Sequence, residues 1–328
     1  MEELPNELLE KIFDDIDEDE KKSVREVCTK WYGMNPMEKM VIKYKNDDQE
    51  RIINDILKIK PKELVFSYCH DIPGRFSIKT IIDTVINQID IYTLIIKHCY
   101  LHDRNQEYNF QFDKVTSFLI IESSLCFINI QSESLGALKI SDCGLQEIHL
   151  ECPMLHTIDL NGNNLVTFSH FNDELIHLTL CANNLRELRL DCFDLEHLNL
   201  EYNEYLEIFD VEAPMLRYLN LIGCKQICDD IEFNEYLNLK TLDVSETCIS
   251  SLDISDLTNL ESLDIGFTHN LTDIDLSNNT KLAKLRLYQA RLTALDLSNN
   301  KNLKEIEARN NPQLTIDTTH LKLASYNK

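Results

Sequence analysis

Glycine and proline are scarce in this chain, with 7 of each among 328 residues. Enzymes that cradle phosphates on glycine-lined turns need more, and neither a GxGxxG nor a Walker-type run occurs. Positive charge is also short. Lys and Arg number 32 against 56 Asp and Glu, a formal net charge of −24 that argues against nucleic acid or an anionic membrane as partner. A basic protein partner fits that charge better. No stretch approaches the roughly eighteen uncharged apolar residues of a membrane span. The start, Met1-Glu2-Glu3-Leu4-Pro5, is acidic where a secretory signal would be basic. The 11 cysteines form no CxxC pair and read as reduced thiols, which points to the cytoplasm or nucleus. No Ser or Cys sits in a nucleophile motif, and no motif asks for a cofactor. The composition therefore points away from an enzyme.

What the chain does have is apolar residues, 43% of the total, arranged at a fixed stride. The pattern LxxLxLxxN/C recurs from about residue 61 to the end. Clear copies are Leu155-x-x-Ile158-x-Leu160-x-x-Asn163 and Leu175-x-x-Leu178-x-Leu180-x-x-Asn183, followed by Leu195-x-x-Leu198-x-Leu200-x-x-Asn203. Indexed on the second apolar position, the copies fall at Leu64, Leu94, Phe118, Leu138, Ile158, Leu178, Leu198, Leu219, Leu242, Leu263, Leu285 and Ile306. The first two steps are 30 and 24 residues, and the stride then settles to between 20 and 23.

The alternating LxL core of each copy predicts a short strand with one buried face, stacked in parallel on its neighbours. The Asn that follows can bond backbone groups of the adjacent coil, a role that Cys69, Cys99, Cys143 and Cys224 fill more weakly. A stride near 20 leaves no room for a full return helix. Return-side pairs such as Leu185-x-x-Leu188-x-Leu190 and Leu295-x-Leu297 predict an extended convex wall instead. The longer first step is different. Ser77 followed by Ile81, Ile82, Val85, Ile86 and Ile89 predicts an N-capped helix. Leu321-x-Leu323 reads as a truncated last strand. The pattern resembles the leucine-rich-repeat family, and the resemblance implies an α/β solenoid with a curved parallel β-sheet whose concave face binds a partner.

Residues 4 to 31 carry a second pattern. Leu4-Pro5-x-Glu7-Leu8-x-x-x-Ile12-Phe13-x-x-Ile16 places an apolar stripe on one helix that begins at a proline. An acidic stretch, Asp14 to Glu20, separates it from Val24, Val27, Cys28 and Trp31. Helices this short do not bury their apolar faces unaided. The arrangement resembles an F-box, in which Leu-Pro opens the motif and Val-Cys-x-x-Trp closes it; Lys21 departs from it, standing where the family usually has an apolar residue. The resemblance implies docking on a Skp-family adaptor, and through it on a cullin-RING ubiquitin ligase. Leu4, Pro5, Leu8, Ile12 and Phe13 would be adaptor contacts, with Ile16, Val24, Val27 and Trp31 serving either the contact or internal packing.

The expected organisation is therefore an F-box over 1–40, a helical linker over 41–60, and about twelve repeats over 61–328. Within the linker, 47–59 has helical spacing and is expected to cap the first repeat. In LxxLxLxxN the residues flanking the buried leucines point out of the concave face. His177, His197 and Tyr218 precede the second leucine, Asp159, Asn199 and Asn220 follow it, and Glu201 lies beyond the third. These seven are the candidate contacts for an unknown protein substrate. The two histidines lack tight ligand spacing, so no metal site is expected.

Overall fold

The fold was analysed in a computed structural model, which describes residues 39–43, 49–69, 71, 77–101, 107–229 and 231–327. Leucine spacing dictates its shape. Fourteen short strands pair in parallel, each with the strand one turn before and after it, from Lys39–Lys43 to Ser325–Asn327. The twelve apolar positions indexed in the sequence form one register column, so that Leu178 lies opposite both Ile158 and Leu198. Met40 and Tyr326 extend that column at its two ends. The result is a parallel β-solenoid with one continuous apolar core running its length.

The boundaries differ from the expectation at both ends. A strand at Lys39–Lys43 pairs with Glu63–Ser67, so the sheet starts one turn before residue 61. Helix α1, Gln49–Ile59, is the return element of that turn and not a cap across the sheet edge. It buries Ile52 and Ile56 and packs beside helix α2, Ile78–Val85. Helix α2 begins where expected: the Ser77 hydroxyl accepts from the Thr80 N–H at 3.3 Å, and Ile78, Ile81, Ile82 and Val85 are buried. At the other end the last strand is Ser325–Asn327, not Leu321-x-Leu323; these leucines pack against the core just before it. The F-box pattern over residues 4–31 lies outside the described residues.

The convex wall is more ordered than its sequence suggests. Glu107–Phe112, Phe127–Ser132 and Glu147–Glu151 form one three-stranded parallel sheet, and Thr167–Phe171, Glu187–Asp191 and Ile208–Glu212 form another. Beyond residue 212 the wall thins to coil, with one short pair at Ala294–Leu295 and Thr315–Ile316.

Between the strands, side chains supply what secondary structure does not. Asn203 is wholly buried; its Nδ2 donates to the carbonyls of Leu180 at 2.9 Å and Leu200 at 2.8 Å, and its Oδ1 accepts from the Leu185 N–H at 3.2 Å. Asn183 and Asn163 repeat this arrangement one and two turns earlier. Cys143 and Cys224 donate their thiols to the preceding turn's carbonyls, at 3.5 and 3.3 Å, as the sequence pattern anticipates. One expectation about cysteine fails. Cys228 and Cys248 are joined in a disulfide and not held as thiols. They are 20 residues apart, close to one turn, so stacking brings their Cα atoms to 5.0 Å.

Replacing Asn203 by Ala leaves the Leu185 N–H without its acceptor in an apolar interior, while the Leu180 and Leu200 carbonyls lose one donor each and keep others from Asn183, the residue-203 N–H and Cys224. The expected loss is about 1–3 kcal/mol, read as a lower urea midpoint. An unchanged midpoint would show that the amide bridges contribute nothing to stability.

Candidate functional site on the concave sheet

The centre of the concave sheet is built by three-residue strands whose flanking residues stand in columns. Thr157, His177, His197, Tyr218 and Thr241 form one column, each paired with the next. Strand stacking turns this column into an aromatic platform. The His197 and Tyr218 rings are parallel within 5° at a centroid distance of 4.2 Å, and His177 follows at 5.6 Å. Burial, and then the charge of His177, hold the His197 imidazole below its ordinary value, which favours the neutral ring. Its Nδ1 is buried without a hydrogen-bond partner.

The second column runs through Asp159, Thr179, Asn199, Asn220, Asp243, Asp264 and Arg286. Here the structure modifies the sequence reading. The side-chain oxygens of Asn199 and Asn220 accept from the backbone N–H two residues on, at 3.2 and 3.0 Å, and Asn220 is buried. These two therefore close the turn that leaves the strand. Asp159 does the same with the Asn161 N–H while also pairing with Lys139 at 2.5 Å. The sequence signal for this is the polar residue placed two before the next turn position, which a search for exposed contacts alone overlooks. Glu201 lies beside the platform, next to Tyr202, whose backbone is left-handed at φ 59°. Gly223 in the following turn leaves room for the Tyr202 ring: an added Cβ would stand 2.5 Å from its Cδ1.

Two carboxylates further along this column, outside the seven candidate contacts, are shifted by burial. Asp243 and Asp264 are cross-strand neighbours. Burial and then the Asp243 charge push Asp264 up to about 6, against relief from the Gly266 N–H and Arg286, whose guanidinium is 3.6 Å away. Burial likewise raises Asp243. Two partly desolvated acids on adjacent rungs, beside stacked rings, suit a cationic group from outside. Among the described residues no group of three or more His, Cys, Asp or Glu is placed to hold a metal ion, and no helix is long and apolar enough to cross a membrane.

Comparison with known proteins returns structural likeness alone. No protein-family model matches the chain, and no curated protein matches it. Among solved structures it is similar to internalin InlF of Listeria monocytogenes, with 15% identity over 84% of this chain and 87% of that one, at a TM-score of 0.45. The functional domain of InlJ from the same organism, described as including a cysteine ladder, is 21% identical over 63% of this chain, at a TM-score of 0.42. The match spans about half of that InlJ domain, 51% of its length. A leucine-rich-repeat protein of Leptospira interrogans is 16% identical over 84% of this chain and 89% of that one, at 0.40.

Asp264 gives a pH test. Its folded value of about 6 lies above the 3.8 of an ordinary aspartate, so the folded state holds the proton more tightly. The penalty for ionising it is fully present above pH 6 and disappears as the pH falls through the unfolded value. Asp264→Asn should therefore raise the urea midpoint at about pH 7.5, on the order of 1–3 kcal/mol, and leave it unchanged near pH 3. A variant no more stable at the higher pH would refute the desolvation account.

Proposed function

We propose that the chain is a non-catalytic receptor that holds a basic protein on its concave sheet. The observation that carries this reading is the central strip, where the His177–His197–Tyr218 platform lies beside Asp243 and Asp264 on a chain of net charge −24. Aromatic anchors next to desolvated acids are a composition suited to an arginine- or lysine-bearing segment. His177, His197 and Tyr218 are its contacts, together with Glu201 and the outward faces of Asp159 and Asn199; Asn220 acts by holding the turn.

The finer part of the proposal rests on residues 4–31. Their resemblance to an F-box supports docking on a Skp-family adaptor, which makes the protein the substrate-recognition subunit of an SCF-type ubiquitin ligase in the cytoplasm or nucleus. The receptor then works by proximity, presenting substrate lysines to a distant thioester. A second reading is favoured by one observation. The Cys228–Cys248 bridge, exposed at Cys228 and half-buried at Cys248, is a pairing rare in reducing compartments and suits an acidic repeat protein that binds or inhibits its partner without ubiquitination.

Calorimetry with a purified Skp-family adaptor separates the two. The ligase reading expects tight one-to-one binding that is lost in an Ile12→Asp/Phe13→Asp double variant. Absence of binding by a protein shown to be folded removes that reading and leaves the second.

A further inference from the structure

The concave sheet changes character along its length. In its central outward column every position from Lys139 to Asn327 is polar or charged. The four strands before it read Val41, Val65, Ile95 and Leu119 in the same register, and Ile121 faces outward beside Leu119. The runs Leu64-Val65-Phe66, Leu94-Ile95-Ile96 and Phe118-Leu119-Ile120-Ile121 thus lose the alternation of a half-solvated sheet. Unbroken apolar runs are the mark of parallel strands covered on both faces.

Burial points the same way. None of Val41, Val65, Ile95, Leu119 and Ile121 belongs to the core cluster, which takes Leu64, Phe66, Leu94, Ile96, Phe118 and Ile120 from the same sheet. Val65 is nevertheless 1% exposed. Val41, on the edge strand, is 39% exposed, and Ile95, Leu119 and Ile121 are half-buried. The surface open to a contact is therefore that of Val41, Ile95, Leu119 and Ile121.

Charge and chain connectivity select the occupant. Residues 1–38, outside the described residues, lead directly into the strand that carries Val41. They contain 12 Asp and Glu against 5 Lys and Arg, with the apolar stripe Leu8, Ile12, Phe13 and Ile16. Residues 141–328, with 31 acids against 14 bases, repel such a segment. Residues 39–140 hold 13 of each and do not, and Lys43 and Lys97 share the next outward column with Ile121. Reach is ample: residues 17–38 can extend over about 75 Å, whereas the four strands span about 14 Å. A tethered segment also meets the sheet at an effective concentration that a free partner lacks.

We propose that the segment 4–16 docks on the concave face of the first four strands, seating Leu8, Ile12 and Phe13 on Val41, Ile95, Leu119 and Ile121. The docking does not rest on the receptor reading; its consequence for an adaptor does. On the ligase reading the same residues are the adaptor contacts, so the seat is autoinhibitory. Amide hydrogen exchange of the full chain tests the docking, with Ile95→Asp/Leu119→Asp as the variant. Aspartate is compatible with this column, where Asp159, Asp243 and Asp264 occupy later turns. Amides of residues 8–16 should exchange about tenfold or more below the unprotected rate and return to that rate in the variant, with Leu178 and Leu198 unchanged as the check on folding. Unprotected amides in the unaltered chain would overturn the proposal, as would protection that survives in the variant. If that variant does not fold, Ile12→Asp/Phe13→Asp leaves the solenoid sequence untouched and should shift the methyl resonances of Ile95 and Leu119. Unmoved methyls would overturn the proposal equally. A purified Skp-family adaptor separates the docking from the ligase reading: Ile95→Asp/Leu119→Asp should bind it about tenfold more tightly than the unaltered chain. Equal affinities would overturn the autoinhibition; binding by neither chain removes the ligase reading, and exchange still decides the docking.

Discussion

Everything in this molecule depends on backbone groups of neighbouring turns finding partners at a nearly constant stride. Three-residue strands satisfy only part of each turn, and the arcs between them would leave N–H and carbonyl groups stranded beside the apolar core. Asn163, Asn183 and Asn203 close that deficit, each bonding its own turn and the turns before it. Where the stride changes, the partner changes with it. Thr247 and Thr268 take the equivalent place in later turns and bond only the carbonyl three residues back in their own turn. Asn311 uses its amide donor alone, its buried Oδ1 having no partner. The middle of the solenoid thus uses both the donor and the acceptor of its amides, whereas Asn279, Asn300 and Asn311 tie the later turns through their donors alone.

The same stride generates the surfaces. Because register is kept from turn to turn, residues about twenty apart become neighbours, and a sequence column becomes a physical strip. The aromatic platform, the Asp243–Asp264 pair and the Cys228–Cys248 bridge are all products of that stacking. The acidic surplus is spread over the molecule, and where burial concentrates it, at Asp243 and Asp264, it acquires an unusual affinity for protons and, by the same physics, for cations.

Much of this was legible beforehand. The twelve leucine-type anchors, the Asn bonds across turns, the Ser77-capped helix and the two concave columns follow from period-2 alternation nested in a longer repeat. Other features were not legible, for identifiable reasons. The strand at Lys39–Lys43 has only Met40 and Ile42 facing inward, too little periodicity to reveal a turn. The turn-closing role of Asn199 and Asn220 looks in sequence like any exposed polar residue of a strand. The disulfide and the open convex wall depend on which coils approach which, and the repeat pattern alone does not contain that information.

The central claim is that buried side chains, not strand length, lock the register of the solenoid. Residue-resolved amide hydrogen exchange tests it most directly at Leu145, Leu165 and Leu185, whose N–H groups lie outside every strand and donate to Asn163, Asn183 and Asn203. Exchange as slow as that of Leu178 and Leu198 within the strands is the expected result. Exchange at the rate of exposed loops would contradict the account and leave the strands alone to hold the turns together.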